Sequence, residues 1–296
     1  MTMSKAMKVP VSKRWRARII LSLLPLLASC SAVRLTYDQG PLLAYWWLDN
    51  YADFTSEQAP RVKRALADWF AWHRATQLPD YAQALATLQA MAVNPVTGTQ
   101  ACTVYAAWQR RVERAFDHAV PAVADLARTL TLEQINHIER RQLVKQEELV
   151  AEYLQADPAE RQKAALERTI DRAEMVYGKL DESQRRLLAS ALLISPFNPR
   201  LWLAERRQRQ VDLVQSLRRW QAERSDADTV QAGLRRLAAE AGKSPRPEYA
   251  AYAARLVQAN CALVAQLHNS TTAAQRQHAV DRLKGWEADL RALTSP

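Results

Sequence analysis

Apolar residues recur along this chain at the spacing of one helix face. Leu166, Ile170, Ala173, Tyr177 and Leu180 fall at i, i+4, i+7, i+11 and i+14, and Val280, Leu283, Trp286, Leu290 and Leu293 form a second stripe near the carboxyl end. Each stripe makes a helix with one apolar face, which needs a partner to cover it. Breakers interrupt the pattern at Pro79, from Asn94-Pro95 to Gly98, at Asp157-Pro158, across Ser195-Pro196-Phe197-Asn198-Pro199, and from Gly242 to Pro247. Between them lie good helix formers, Ala, Leu, Arg, Gln and Glu, and there are only six glycines in 296 residues to make turns. The pattern predicts an all-α fold, a single elongated bundle of about eight to ten helices, with no Gly/Ser linker to divide it.

A local pattern marks several helix starts. Thr55 precedes Gln58, Thr131 precedes Gln134, Asp181 precedes Gln184 and Thr272 precedes Gln275, each by three residues. This is the capping-box spacing: the first side chain accepts from the amide of the third helical residue, and the Gln side chain reaches back to the first residue's amide. At the second copy Leu130 and Ile135 also suit a hydrophobic staple. The copies are 76, 50 and 91 residues apart, which argues against a regular solenoid. The segment Leu130-Thr131-Leu132-Glu133-Gln134 is similar to the Leu-Thr-x-x-Gln motif of Spy/CpxP-type periplasmic chaperones.

The first thirty residues have a different character. Lys5, Lys8, Lys13, Arg14, Arg16 and Arg18 precede an uncharged run from Ile19 to Ser29. That run is shorter than the roughly 20 apolar residues a membrane span needs and matches the core of an export signal. It ends in Leu27-Ala28-Ser29-Cys30, which resembles the lipobox of bacterial lipoproteins. The resemblance implies cleavage before Cys30, a diacylglyceryl group on its thiol and an N-acyl chain (palmitate) on its amine. An ordinary secretory signal or an uncleaved anchor are the other readings of the same stretch. Ser31 in place of Asp favours the outer membrane, by resemblance to enterobacterial sorting rules. The chain then divides into a signal peptide (1–29), the lipidated cysteine with a short tether (30–41) and a helical periplasmic domain (42–296). The tether reaches about 40 Å at most.

Removing that signal changes the meaning of the charge. The whole chain carries +10, but residues 30–296 hold 35 basic and 31 acidic residues. A nucleic-acid partner is therefore not expected. The paired arginines beginning at Arg110, Arg140, Arg185, Arg206, Arg218 and Arg235 are interleaved with acids and read as solvated helix faces; a patch for acidic partners, lipid head groups or acidic unfolded chains, is the other reading.

A wider resemblance covers most of residues 30–296. Tyr45-Trp46-Trp47-Leu48-Asp49, Trp72-His73-Arg74 with Leu78-Pro79, Cys102, and Asn260-Cys261 followed by Leu267-His268-Asn269 are similar to a family of uncharacterised helical lipoproteins of proteobacteria, a domain of unknown function. The resemblance implies a fold and an address and supplies no catalytic residues.

Candidate chemistry is sparse. Cys102 lies on a helical face with Tyr105, Val112 and Phe116, and Cys261 lies with Val257 and Val264, so both read as buried. They suit a disulfide or two inert thiols, and an even pair in an oxidising compartment favours the bridge. The histidines, His73, His118, His137, His268 and His278, show no ligand spacing, so no metal is expected. His268, before Asn269 near a helix end, reads as a cation favoured by the helix dipole. No phosphate loop or nucleophile elbow is present, and no catalytic residues are assigned. The aromatic group Tyr37, Tyr45, Trp46, Trp47 and Tyr51 reads as docking onto the core, with Leu42, Leu43 and Trp46 on the buried face; seating of these rings at the lipid interface is the other reading. The expectation is a lipid-anchored envelope protein, not an enzyme, facing the periplasm. It needs no cofactor beyond the diacylglycerol and N-acyl chain on Cys30. It binds exported or envelope proteins as an assembly or scaffold factor, or holds unfolded clients as a chaperone.

Overall fold

The computed structural model describes residues 32–294, which are helical and contain no strand. The first half comprises α1 (Ala32–Asp38), α2 (Gly40–Ala52), α3 (Gln58–Trp72), a π turn (His73–Gln77), α4 (Leu78–Ala92), α5 (Gly98–Ala127) and α6 (Leu132–Tyr153). The second comprises α7 (Pro158–Tyr177), α8 (Glu182–Leu193), α9 (Pro199–Glu223), α10 (Ala227–Gly242), α11 (Pro247–Ser270) and α12 (Ala273–Thr294).

Twelve α-helices among the described residues exceed the eight to ten expected, for two local reasons. The segment read as a tether contains α1, which packs on α12 and is tied to it by the Arg34–Asp289 ion pair. A turn also separates α9 from α10 without glycine or proline: Arg224 adopts left-handed backbone (φ 49°) and Asp226 caps α10 by accepting from the Thr229 amide. Pro79, expected as a break, interrupts nothing. The π turn precedes it, with the Leu78 amide donating to the His73 carbonyl, so α3 and α4 form one continuous rod. Such a turn adds a residue to the helical repeat and lets the chain continue past a missing donor.

Three groups of buried side chains hold the helices. The first joins α5, α6, α9 and α10 through Val120, Ile135, Leu217, Trp220 and Val230. Gly233 permits its tightest approach: a Cβ there would stand 2.3 Å from the ring of buried Trp220. The second packs α7, α8 and α11 through Ile170, Ala173, Leu180, Leu188 and Leu267. The third packs α4 on α12 through Leu85, Ala92, Val280 and Leu283. The two sequence stripes thus supply the second and third groups. Helix α5, about 45 Å long at 1.5 Å per residue, contributes to the first group near its carboxyl end and packs against α11 as well.

The arginine pairs do more than solvate helix faces. In four of them one member crosses to another helix: Arg111 to Asp80, Arg185 to Glu174, Arg218 to Glu139 and Arg235 to Asp117. A separate buried site joins α9 to the start of α11. Glu205 receives Arg246 at 2.6 and 2.7 Å and Arg209 at 3.0 Å. Burial alone would raise its pKa, but the hydrogen bonds from Arg246, Ser244 and Arg209 outweigh it and hold the carboxyl down at about 2.

The outer side of α2 departs from the sequence reading. Tyr45 and Ala52 are buried, whereas Leu42 and Leu43 are exposed, and Trp46 and Trp47 are 58% and 63% exposed. The helix is apolar nearly all round, and its inward contacts with α3 and α6 leave one apolar side in solvent.

Candidate binding clefts and their glutamine caps

The four capping boxes meet in two pairs. At the first, Thr55 and Gln58 exchange reciprocal bonds, as do Thr131 and Gln134. Each Gln closes its own box with Oε1, which leaves Nε2 free to reach across. Gln134 Nε2 donates to Gln58 Oε1 at 2.7 Å and to the carbonyls of Ala52 and Asp53, while Gln58 Nε2 donates to the Thr129 carbonyl. At the second, the Asp181–Gln184 and Thr272–Gln275 boxes are likewise closed. Gln184 Nε2 donates to Gln275 Oε1 at 2.7 Å and to the Ser270 carbonyl; Gln275 Nε2 donates to Gln184 Oε1 at 2.9 Å and to the Lys179 carbonyl. Two helix starts distant in sequence are thereby fixed against each other. The cross-contact requires Gln, because an ionised Glu could close the box but could not donate.

A fifth box, Thr97 with Gln100 at the start of α5, escaped the sequence reading although it has the same three-residue spacing. Its Gln reaches no second box among the described contacts, so it is an ordinary cap. The expected staple pair, Leu130 and Ile135, lies in the first core group.

An apolar cleft of about 560 Å³ opens among α4, α5, α7, α11 and α12. Met91, Val104, Trp108, Val264 and Trp286 line it, and Cys261 stands in its wall. Cys102 of α5 and Cys261 of α11 are joined as a disulfide, Cα–Cα 5.3 Å. Cys261 is buried, but Cys102 is only half-buried and its helical neighbours Tyr105, Val112 and Phe116 are exposed, because α11 covers only part of that face.

His268 forms one polar corner of this cleft and is not the dipole-stabilised cation expected. It is buried, its Nε2 lies 2.8 Å from the Asn94 carbonyl, and its Nδ1 lies 3.0 Å from the Tyr177 hydroxyl. The carbonyl requires a proton on Nε2, so Nδ1 accepts from Tyr177. Burial pushes the His268 pKa down, the Asn94 bond opposes that, and Arg276 adds to it. Burial pushes the Tyr177 hydroxyl up. Both groups are neutral partners. Two residues beyond His268 is Ser270, whose carbonyl receives Gln184, so the second glutamine pair lies close to this corner without lining the cleft.

A larger cleft, about 1020 Å³, lies between α2, α3 and α5. Leu48, Val62, Leu66 and Val123 line it, together with the charged Arg61, Asp68, Asp125 and Arg128. Gln58 and Thr129 of the first glutamine pair form part of its lining. Between the clefts sits an aromatic group around the π turn, where buried His73 meets the Tyr37 hydroxyl at 2.9 Å and stacks on Trp69 at 4.7 Å. Burial lowers the His73 pKa and raises that of Tyr37 to about 12, the latter despite nearby Arg74.

Cys30 and the expected signal peptide lie outside the described residues. Among the described residues, no cluster of three or more His, Cys, Asp and Glu is placed to hold a metal, and no helix is long and apolar enough to cross a membrane. In comparisons with known proteins, a family described as a family of unknown function (DUF6279) matches residues 50–250. No curated protein and no solved structure matches.

Proposed function

We propose, for a chain that belongs to this family of unknown function, a role as a lipid-anchored envelope protein that binds apolar segments of other proteins. In this reading the signal peptide is cut before Cys30, which carries the diacylglyceryl and N-acyl chains. An elongated single bundle then faces the periplasm from the outer membrane. It acts by binding, as an assembly or scaffold factor for exported or envelope proteins, and not by catalysis.

One observation carries the binding reading: two clefts with apolar walls lie open to solvent, the larger of them lined in part by Gln58 of the first glutamine pair. Their volumes are of the order found for sites that enclose apolar groups, about 300 to 1,000 Å³. In the smaller cleft the polar corner is satisfied internally, His268 bonding to Tyr177 and to the Asn94 carbonyl. Exposed valines at the walls, Val264 in the smaller cleft and Val123 in the larger, offer apolar contact at little folding cost.

A second reading, a chaperone for unfolded clients, draws on the same clefts, since it demands an accessible concave apolar surface. Photocrosslinkers placed at Val264 and Val123 in living cells test both. One dominant envelope partner supports the scaffold; many unrelated exported proteins, together with suppressed aggregation of an unfolded client, support the chaperone. Capture at neither position, with no protection of a client, removes the clefts from the function.

A further inference from the structure

Among the described residues, the outer side of α2 is a strongly apolar surface that neither cleft uses. On α2 the exposed positions are Leu42, Leu43, Trp46, Trp47 and Asn50, which follow the i, i+4 spacing of a single face. The only ionisable acid of α2 is Asp49, whose Oδ1 accepts from the Phe54 amide, so it is engaged in closing the helix. Leu35 of α1, 63% exposed, adds another apolar side chain just before this face. Solvent-exposed apolar groups gathered in this way mark an interaction surface.

We propose that this face of α1 and α2 is a membrane-docking surface, seated in the lipid interface beside the acyl anchor. The distance argument rests on acylation of Cys30 as proposed above: only about 7 Å of extended chain separates Cys30 from Ala32, the first residue of α1. A face that begins so close to the bilayer meets lipid before it meets a diffusing protein. Its composition fits that occupant. Tryptophan is favoured at the membrane interface, where its ring is held among the headgroups and its N–H stays hydrated. Docking of this face fixes how the body stands on the membrane, which an acyl chain on a tether cannot do.

The test uses the full chain, processed in cells and reconstituted into phosphatidylethanolamine/phosphatidylglycerol vesicles whose acyl chains carry bromine. Tryptophan fluorescence is compared with that in unbrominated vesicles, for the native protein, for W46S/W47S, and for L43E, which keeps both probes. Bromine quenches the native protein; the double substitution removes most of that quenching, and L43E reduces it. Circular dichroism stays unchanged and the melting temperature shifts only slightly, because Leu43, Trp46 and Trp47 are exposed and only Trp47 makes a ring contact, with Tyr51 at 4.9 Å. Quenching that is absent from the native protein, or equal in W46S/W47S, overturns the proposal. Concentration-dependent association through the same tryptophans, without bromine quenching, overturns it in favour of a second copy of this chain. The mass of the amino-terminal peptide reports separately on Cys30: an unacylated cysteine alongside Trp46/Trp47-dependent quenching defeats the anchor and leaves the docking surface standing.

Discussion

The two glutamine pairs solve the same problem with the same chemistry, yet the clefts beside them differ. At the Gln58–Gln134 pair the neighbouring cleft is large, lined in part by Arg61, Asp68, Asp125 and Arg128, and no disulfide crosses it. At the Gln184–Gln275 pair the cleft is about half that volume and its walls are nearly all apolar. There a covalent bridge and a buried histidine add to the cap. The pairs therefore act as joints that set helix against helix, and the walls decide what is held. A joint of two amides tolerates different surroundings because each Gln finds both its acceptor and its donors inside the pair and the adjacent turns. The smaller cleft is composed of five helices, and its walls are held together by more than a joint.

The largest expected effect breaks the comparison at its covalent point. Replacing Cys102 and Cys261 with serine opens a loop of 159 positions and lowers stability by about 2 to 5 kcal/mol, read as a drop in thermal midpoint under non-reducing conditions. Apolar-probe binding at the smaller cleft falls with it, while the larger cleft is unchanged. Equal loss at both clefts refutes their independence.

Next come the joints themselves. Gln134→Ala and Gln184→Ala each leave buried carbonyls without a donor and open a cap, at a cost of about 2 to 3 kcal/mol apiece. Double-mutant cycles sharpen the point. Gln58 with Gln134, and Gln184 with Gln275, couple by about 0.5 to 3 kcal/mol, whereas Gln134 with Gln184 adds within about 0.5 kcal/mol because the pairs share no partner. Coupling across pairs as large as within them shows that the two ends are one unit.

Acidification produces a smaller change. His73 and His268 have lowered pKa values in the fold, so below about pH 6.5 the unfolded chain binds protons that the folded chain does not. Stability is therefore fully present at neutral pH and is lost as pH falls through that region, which urea titrations at neutral pH and about pH 5 measure. His268→Gln flattens this dependence. Glu205 works at lower pH: its carboxyl is held at about 2 against an ordinary value of 4.5, so its contribution is complete above the ordinary value and is lost progressively as pH falls from there through about 2. The smallest effect on stability accompanies a large effect on binding. Val264→Arg and Val123→Arg alter stability by no more than about 0.5 kcal/mol, since both side chains are exposed, yet each abolishes crosslinking of clients at its own cleft.

Much of the architecture is written locally. The stripes from Leu166 to Leu180 and from Val280 to Leu293 mark buried faces because helical side chains three and four apart stand on one side. The boxes at Thr131 and Asp181 mark helix starts because a cap concerns four consecutive residues. The candidate site was less legible. That four boxes would meet as two pairs, that Arg111, Arg185, Arg218 and Arg235 would cross between helices, and that His268 would be neutral all depend on partners 11 to 174 residues away. The outward side of α2 misleads for the opposite reason: its apolar residues suggest burial, and no local signal says that the inward side is already satisfied by Tyr45 and Ala52.

The sequence by itself determined the helical class, most helix boundaries and the spacing of the two cysteines, because propensity, capping and periodicity act within a few residues. The tertiary structure alone decided which helices meet, which glutamines share their amides, where two apolar clefts stay open and which tryptophans face outward. Those outcomes follow from packing, in which each face is covered or left bare according to what remote segments bring to it.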